Sequence, residues 1–338
     1  MYRVEIIMPS RNGREILAQC LPGVVDCLNE IDPPATITIV DDASADGTSE
    51  YLSENFPQVN VIRLSRRRGF PGAVNAGAFA SSAEILLLLN NDMLPSASVL
   101  GPLLRHFSDP EVAVVGSRTL KWDRKTLDVG RRIRTLKEGL ICGVGGNEDF
   151  PSTSYTFFAS GGAMAMRRSV YVGLGGLDQI YAPGYIEDTD LCYRAWKRGW
   201  KVLWEPQSTF FHIGGGFFSP RKPGLKRYVM VCKVRYYMRR NAFYFYWKNL
   251  TDATAWRDHW KHFPRRALAA LVSGDVLYFA GLARAITRIG DIKPRRRGEL
   301  EATTLGDAEV FEKLTQPYNS THTEARQDHD VCTATAKA

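Results

Sequence analysis

A pair of oxygen-bearing side chains follows an apolar run early in the chain. Asn90 and Asp92, with Asn91 between them, come directly after residues 85–89, Ile-Leu-Leu-Leu-Leu. Amide and carboxylate oxygens suit a hard cation such as Mg²⁺ or Mn²⁺, and such a cation would bind a diphosphate and offset the charge that builds on it. An Asn-x-Asp pattern is also common in turns, so its place at the end of a strand is what favours a metal site.

A second acidic segment opens a predicted helix. Glu187, Asp188 and Asp190 occupy three of four consecutive positions. The helix dipole alone favours acidic residues in a first turn, but three exceed what it needs. Neighbouring carboxylates raise one another's pKa, which suits a general base. His212 follows beside a glycine run and is a candidate metal ligand, although a lone histidine can equally be structural.

Two further motifs have two interpretations each. Asp41 and Asp42 follow the second predicted strand. One could accept hydrogen bonds from a ribose or base while the other caps a helix or meets solvent, or both could only cap the next helix. Gly161 and Gly162 could let a sugar approach the backbone closely, or could mark a tight bend.

Alternating strands and helices must position these residues. The pattern predicts buried strands at Val4 to Met8, Thr36 to Val40, Val59 to Leu64 and Ile85 to Leu89. It predicts intervening helices at Glu15 to Asn29, Ala45 to Asn55 and Gly72 to Ser81. Such alternation indicates an α/β sheet with right-handed crossovers, in which ligands bind at the carboxyl ends of the strands.

The rest of the chain divides by composition. Residues 112–220 are less periodic and glycine-rich, which predicts a second half built largely from loops. Residues 225–288 are helical in pattern, basic and rich in aromatics. From residue 294 the chain is polar with few large apolar residues, which predicts a disordered tail.

Composition limits the class of protein. The 338 residues are 44% hydrophobic and 24% charged, which excludes disorder throughout. No window reaches the roughly 18 apolar residues of a membrane-spanning helix; the nearest, residues 268–283, is broken by Asp275. Arg3 and Glu5 interrupt what would be the apolar region of a signal peptide. Six cysteines without a C-x-x-C pair indicate a reducing compartment, so we expect a cytoplasmic protein.

The positive charge is concentrated in one region. The net charge is +8, yet residues 221–300 hold 19 lysines and arginines against 5 acidic residues. This block is a solvated face, or it binds a polyanion such as a nucleic acid or an anionic membrane. Aromatics and cations interleave over residues 226–247, which favours helices at 225–290 seated on the inner face of an anionic membrane. The alternative is a helical subdomain with its aromatics packed on the core.

Taken in order, the motifs resemble glycosyltransferase family 2 of the GT-A fold, especially its rhamnosyltransferase-like branch. The matching stretches lie between about residues 3 and 220, and they are residues 7–12 (Ile-Met-Pro-Ser-Arg-Asn), 39–44 (Ile-Val-Asp-Asp-Ala-Ser), 68–77 (Arg-Gly-Phe-Pro-Gly-Ala-Val-Asn-Ala-Gly), 89–92 (Leu-Asn-Asn-Asp), 160–163 (Ser-Gly-Gly-Ala), 187–190 (Glu-Asp-Thr-Asp) and 212–215 (His-Ile-Gly-Gly). No single stretch is decisive, but their order and spacing are specific.

The resemblance implies an α/β fold of Rossmann-like character, with a mixed or parallel sheet flanked by helices and a C-terminal basic helical extension. It implies a catalytic domain at 1–222, with a nucleotide-sugar-binding half at 1–110 and an acceptor-binding half at 111–222. A basic aromatic helical region follows at 223–293, and the polar tail at 294–338.

The resemblance also implies an inverting hexosyltransferase that moves a sugar from dTDP-rhamnose or a UDP-sugar to a hydroxyl of a glycan or polyprenyl-linked acceptor, in cell-surface polysaccharide synthesis. Asp188 would be the general base, with Glu187 beside it. The residues implied to contact the nucleotide or donor sugar are Pro9, Arg11, Asp41, Asp42, Gly69, Phe70, Asn75 and Asn91, with Asp41 the favoured base contact. Those implied for the acceptor are Gly161, Gly162 and Asp190.

The implied metal shell for Mg²⁺ or Mn²⁺ is Asn90, Asp92 and His212. Here the chain departs from the family, whose D-x-D motif begins with aspartate where this chain has Asn90. The loss of one carboxylate predicts weaker metal binding.

Three other functions fit the sequence less well. A catalytically idle relative that binds a nucleotide sugar is favoured only by Asn90. A nucleic-acid-binding protein would use the basic block, but it leaves the acidic motifs unexplained and the chain has none of the common recognition signatures. A hydride-transferring Rossmann enzyme is excluded because the first strand is followed by Pro-Ser-Arg-Asn-Gly rather than G-x-G-x-x-G.

Overall fold

One large mixed sheet organises the protein. The computed structural model describes residues 2–214 and 225–318. Its strands are β1 (Val4–Ser10), β2 (Thr36–Asp41), β3 (Asn60–Arg63), β4 (Ile85–Leu89), β5 (Met93–Pro95), β6 (Val112–Lys121), β7 (Leu127–Val129), β8 (Arg131–Lys137), β9 (Leu140–Glu148), β10 (Ser154–Tyr155), β11 (Ala163–Arg167) and β12 (Lys201–His212). The main sheet runs β10-β12-β6-β11-β4-β1-β2-β3, with β5 beside β12 and β7 beside β6, while β8 and β9 form a separate antiparallel hairpin.

Helices cover both faces of this sheet. They are α1 (Arg14–Asp26), α2 (Thr48–Asn55), α3 (Gly69–Ala80), α4 (Leu100–Leu104), α5 (Arg168–Gly173), α6 (Glu187–Lys197), α7 (Leu225–Asn249), α8 (Ala253–Lys261), α9 (Phe263–Val272), α10 (Val276–Thr287), α11 (Ile289–Ala302) and α12 (Asp307–Thr315). Short 3₁₀ helices lie at Cys27–Glu30, Arg105–Ser108 and Gln179–Tyr181.

The apolar strands are buried on both faces because the connections between parallel strands place helices on each side. Along β4, Leu86 and Leu88 enter one hydrophobic cluster, whereas Ile85, Leu87 and Leu89 enter the other. Strands β1 to β4 are mutually parallel, and β11 pairs antiparallel with both β4 and β6. The predicted alternation in the first third is therefore confirmed, and the sheet is mixed.

The expectation of a loop-built second half is wrong. Strand β6 is 10 residues long and β12 is 12, and they pair in parallel. Strand β6 is hard to recognise in the sequence because a glycine, Gly116, lies in the middle of it. A Cβ at Gly116 would lie 2.7 Å from the Cβ of Ala159, so the glycine lets a neighbouring segment pack against the strand.

The expectation of a disordered tail from residue 294 is also wrong as far as residue 318; residues 319–338 lie outside the described part. Helix α12 buries Val310, Phe311 and Leu314 in the same cluster as the sheet. The Asp307 carboxylate is fully buried and accepts a hydrogen bond from Lys197 Nζ at 2.6 Å. These apolar contacts and the buried ion pair help to hold this short helix against the sheet.

The predicted helices of the basic region are present, and α7 packs on the sheet rather than standing apart. Phe243, Tyr244, Phe245 and Trp247 are buried in the cluster shared with the sheet. These aromatics therefore follow the packing alternative rather than the lipid-headgroup interpretation. The predicted boundary near residue 222 falls outside the described residues. Among those residues, no helix combines the length and the apolarity needed to cross a membrane.

Candidate functional site

A cleft of about 700 Å³ opens at the carboxyl ends of β1, β2 and β4. This is the edge where ligands bind in open α/β sheets. The predicted site residues that line it are Pro9, Arg11, Asp42, Gly69, Phe70, Asn90, Asn91, Asp92, Gly161, Gly162, Glu187, Asp188 and His212. The fold thus brings together residues that are far apart in sequence.

The two adjacent aspartates after β2 have different positions. Asp41 is buried, and its carboxylate accepts hydrogen bonds from the Ser44 N–H at 2.8 Å and the Ser49 hydroxyl. It is not among the residues that line the cleft, and its assignment as the favoured base contact stays a prediction. Asp42 lines the cleft, and its carboxylate accepts the backbone N–H groups of Arg68 and Gly69 at the start of α3.

Asn75 and Asp190, both predicted to contact substrate, are internal. The Asn75 side chain accepts the Tyr171 hydroxyl at 2.5 Å and donates to the Leu177 carbonyl at 2.8 Å. Asp190 is fully buried and accepts from Arg194 Nε at 2.7 Å and Lys248 Nζ at 3.0 Å. Buried charges are stable only when paired, so Asp190 is part of the packing and is corrected from acceptor-binding to structural.

The Asn-Asn-Asp segment reaches His212 across the cleft. His212 Nε2 lies 3.1 Å from Asp92 Oδ2, and its Nδ1 lies 2.7 Å from Asp128 Oδ2. Burial lowers the pKa of His212, but the hydrogen bonds with Asp128 and Asp92 outweigh it and raise the pKa to about 10. Asp92 Oδ1 is buried, and no described residue donates a hydrogen bond to it. This atom points to a missing partner of positive charge or donor character.

The acidic turn of α6 supplies two carboxyl groups with raised pKa. Glu187 is buried; desolvation first, and then the charge of Asp188, raise its pKa well above the usual value. Asp188 is half-buried, and desolvation raises its pKa although its carboxylate accepts the N–H groups of Gly161 at 3.2 Å and Thr189 at 2.6 Å. A raised pKa on a carboxylate that lines a cleft is typical of a general base.

Glycines shape the wall opposite this turn. A Cβ at Gly161 would lie 3.3 Å from the Phe70 ring and 3.5 Å from the Asp188 Cβ. One at Gly162 would lie 3.0 Å from Asn90 Nδ2. The small residues therefore allow the backbone to lie against the candidate base and the candidate metal motif.

The segment before α6 has an unusual backbone. Tyr185 and Ile186 have φ values of 77° and 72°, a conformation that is costly for a β-branched residue. Asn241 of α7 is fully buried, and its amide lies within hydrogen-bond distance of the carbonyls of Tyr181 (3.1 Å), Gly184 (3.0 Å) and Tyr185 (2.8 Å). Arg240 donates to the Ala182 carbonyl at 2.6 Å. Helix α7 thus clamps the turn that presents Asp188.

Sequence reasoning missed several residues at the cleft. Asp128 contacts His212 Nδ1 without itself lining the cleft, and it lies on the short strand β7 in a segment without a motif. The other lining residues are Ser10, Asn12, Arg67, Ala73, Ser160, Pro183, Gly184, Tyr185, Gly214 and Met230. The run of three arginines at 66–68 was the available signal for Arg67, whereas Met230 reaches the cleft only because α7 folds back on the sheet.

Comparison with known sequences gives a family match. The family model described as Glycosyl transferase family 2 matches residues 5–174. A pre-mycofactocin glycosyltransferase of Mycobacterium tuberculosis is 28% identical over 213 residues, 62% of this chain and 42% of that protein. An N-acetylglucosaminyl-diphospho-decaprenol L-rhamnosyltransferase of the same organism is 24% identical over 221 residues, 53% of this chain and 66% of that protein. The chain thus matches less than half the length of the first relative.

Solved structures share the architecture. The mannosyltransferase PcManGT of Pyrobaculum calidifontis, in complex with GDP-Man and Mn²⁺, has a TM-score of 0.53 at 16% identity, over 89% of this chain and 87% of that one. GalNAc-T7 with UDP, GalNAc and Mn²⁺ has a TM-score of 0.52 at 19% identity, over 72% of this chain and 51% of that one. At such identities the likeness shows the fold alone, and the GT-A fold predicted from the motifs is confirmed.

The clamp by α7 predicts a stability effect. Replacing Asn241 with alanine removes the donor shared by three buried carbonyls, so the free energy of unfolding should fall by about 1–3 kcal/mol. Urea denaturation measures this loss. Arg235→Ala, on the exposed side of the same helix, is the control and should stay within about 0.5 kcal/mol of the parent protein. Equal stability of the two variants would show that the hydrogen bonds to the turn contribute nothing.

Proposed function

The chain belongs to Glycosyl transferase family 2, and from that premise we propose that it transfers a sugar, with inversion, from a nucleoside diphosphate donor to an acceptor hydroxyl. One observation carries the proposal: two carboxyl groups suited to different tasks line the same cleft. They are Asp188, whose pKa is raised, and Asp92, whose buried Oδ1 has no donor among the described residues. The first is suited to remove a proton and the second to hold a cation.

In this proposal the nucleotide lies against Pro9, Arg11 and Asp42, which line the cleft at the ends of β1 and β2. Gly69, Phe70 and Asn91 border the same space. The donor is dTDP-rhamnose or a UDP-sugar, and the acceptor is a glycan or polyprenyl-linked sugar of cell-surface polysaccharide synthesis. The rhamnosyltransferase among the relatives supports rhamnose as the sugar.

Asp188 acts as the general base. Its carboxylate accepts the proton of the acceptor hydroxyl while that oxygen attacks the anomeric carbon in line with the departing diphosphate. A single displacement inverts the anomeric centre. The raised pKa of Asp188 strengthens it as a proton acceptor, and the backbone N–H groups of Gly161 and Thr189 orient it. Glu187 lies beside the base, and burial together with the charge of Asp188 raises its pKa well above the usual value.

The residues present fit a divalent cation, Mg²⁺ or Mn²⁺. Asp92 Oδ1, His212 Nε2 and the Asn90 side-chain oxygen would hold it, and His212 would lose a proton to do so. When bound, the cation would offset the negative charge on the departing diphosphate. The described residues include no ready group of three or more His, Cys, Asp or Glu ligands. Because Asn90 offers an amide where the family's motif has a carboxylate, we expect weaker metal affinity.

The role of Asp188 has a direct test with a matched pair of isosteric variants. Asp188→Asn should lower the transfer rate by about 10²–10⁴-fold while nucleotide affinity stays within about twofold, because the amide cannot accept the proton but preserves the cleft. Glu187→Gln should cost far less, because Asp188 rather than Glu187 accepts the proton in this proposal. Donor turnover assays and nucleotide titration calorimetry measure both properties. Near-normal turnover by Asp188→Asn would mean that another group is the base.

We also propose that the protein sits on the inner face of an anionic membrane, through α9 and α10 rather than the α7 aromatics. Leu268, Leu271 and Val272 lie at helical spacing on one face of α9 and are 60%, 66% and 81% exposed, and Val276, which begins α10, is 76% exposed. This apolar surface lies within the basic block of residues 221–300. Apolar insertion combined with basic charge is the pattern of peripheral membrane helices.

The membrane proposal predicts selective loss of vesicle binding. The protein should sediment with phosphatidylglycerol vesicles at low salt, and Leu271→Ser with Val272→Ser should weaken this about tenfold because two apolar side chains no longer insert. Val172→Ser changes a valine that is 42% exposed on α5 and should have no effect. If the parent protein stays in the supernatant at low salt, the membrane proposal fails.

A further inference from the structure

A second, smaller cavity adjoins the cleft on the side of α7. It has a volume of about 380 Å³ and is lined by Arg67, Arg68, Gly69, Ala182, Pro183, Lys233 and Tyr237. We call it the basic pocket. It shares Arg67, Gly69 and Pro183 with the cleft, so the two spaces are adjacent. None of the candidate metal ligands lines it.

Among the described residues, three cations and no acidic residue line the basic pocket. Within residues 2–214 and 225–318, Arg67, Arg68 and Lys233 form no ion pair with a carboxylate. Elsewhere on α7, Arg239 pairs with Asp275 and Lys248 pairs with Asp178 at 2.8 Å, whereas Arg240 donates to backbone carbonyls. Three like charges around one cavity repel one another, and an anion of two or three charges would relieve that repulsion.

The start of α3 fixes the backbone of Arg68. The Asp42 carboxylate accepts the N–H groups of Arg68 and Gly69 at 2.5 and 2.9 Å. Those backbone donors are therefore already used, and attraction for an anion rests on the side chains. Gly69 has φ of 73°, and a Cβ there would lie 2.9 Å from the Pro183 Cα, so the two backbones are in contact.

Helix α7 fixes the opposite wall. The Phe70 N–H donates to the Pro183 carbonyl at 3.0 Å, and Arg240 donates to the neighbouring Ala182 carbonyl at 2.6 Å. The Arg240 guanidinium also lies 4.9 Å from the centre of the Tyr237 ring, which holds that ring at the cavity. The walls of the basic pocket are thus built from buried contacts, with the cationic side chains facing a preformed space.

We propose that the basic pocket binds the phosphate or diphosphate group of the acceptor. The proposal rests on the proposed function, because the adjoining cleft is there assigned to the donor. An acceptor sugar attached to a diphosphate would place its charged group among Arg67, Arg68 and Lys233 while its hydroxyl reaches the cleft that contains Asp188. A phosphate-free glycan would leave the three cations unpaired.

The test uses geranyl diphosphate as a soluble probe, with geraniol as its uncharged counterpart. The full-length protein is first saturated with a nucleoside diphosphate and Mg²⁺ so that the donor part of the cleft is occupied, and binding is measured by titration calorimetry. Arg68→Glu and Lys233→Glu should each weaken geranyl diphosphate binding by about tenfold or more, because each reverses a charge at the anion. Geraniol should bind poorly to every form.

Arg235→Glu is the matched control. Arg235 is exposed two positions from Lys233 on the same helix and does not line the basic pocket. It receives the same charge reversal, so its geranyl diphosphate affinity should not change. Nucleotide affinity should be the same in all four proteins, which also shows that the variants fold.

The remaining outcomes distinguish failure of the basic-pocket proposal from failure of the proposed function. Equal geranyl diphosphate binding by parent and variants would overturn the proposal. Loss of phosphatidylglycerol vesicle binding by Arg68→Glu and Lys233→Glu, with geranyl diphosphate binding intact, would also overturn it, since the cations would then serve lipid headgroups. Failure of the parent protein to bind any nucleoside diphosphate would contradict the proposed function itself, whatever the result at the basic pocket.

Discussion

One buried carboxylate, Asp190, ties the acidic turn of α6 to the C-terminal helix α7. It accepts hydrogen bonds from Tyr181, Arg194, Lys248 and Asn249, at 2.7–3.0 Å. Burial would raise the pKa of Asp190, but the charges of Lys248 and Arg194 and the hydrogen bonds lower it far below its usual range. A buried charge without these partners would cost several kcal/mol. The turn that carries Asp188 therefore depends on α7, and the basic helices belong to the unit that forms the cleft.

The three carboxyl groups of residues 187–190 therefore have two different roles. Asp190 is held ionised by cations and stabilises the packing, whereas Glu187 and Asp188 lie where burial raises their pKa. Environment rather than residue type sets the role of each group. The same helix α7 positions the 181–185 turn through Asn241 and provides Lys233 to the basic pocket. Helix α7 thus contributes to fold stability, to the position of the candidate base and to the proposed acceptor site.

The sequence predicts what local pattern controls. The first four strands, the polar residues at their ends and the glycosyltransferase family follow from short apolar runs and motif order. Long-range partners explain the errors. Asn75 is held by the Leu177 segment, 102 positions away, and Asp190 by Lys248, 58 positions away, so both look like site residues until the chain folds. Helix α12 was missed because its apolar signal is only Val310, Phe311 and Leu314. The partners Lys197 and Tyr193 of its Asp307 carboxylate lie 110 and 114 positions away.

A crystal structure with a nucleoside diphosphate and Mn²⁺, using the nucleotide chosen from UDP, dTDP and GDP by thermal shift, would test the assignment of this cleft. We expect the nucleoside beside Pro9, Arg11 and Asp42. We expect Asp92 Oδ1, the buried oxygen that has no donor among the described residues, to hold Mn²⁺. Asp188 should lie on the side of the terminal phosphate, where the donor sugar would be attached. A nucleotide bound elsewhere, or no binding of any of the three, would contradict the assignment of this cleft.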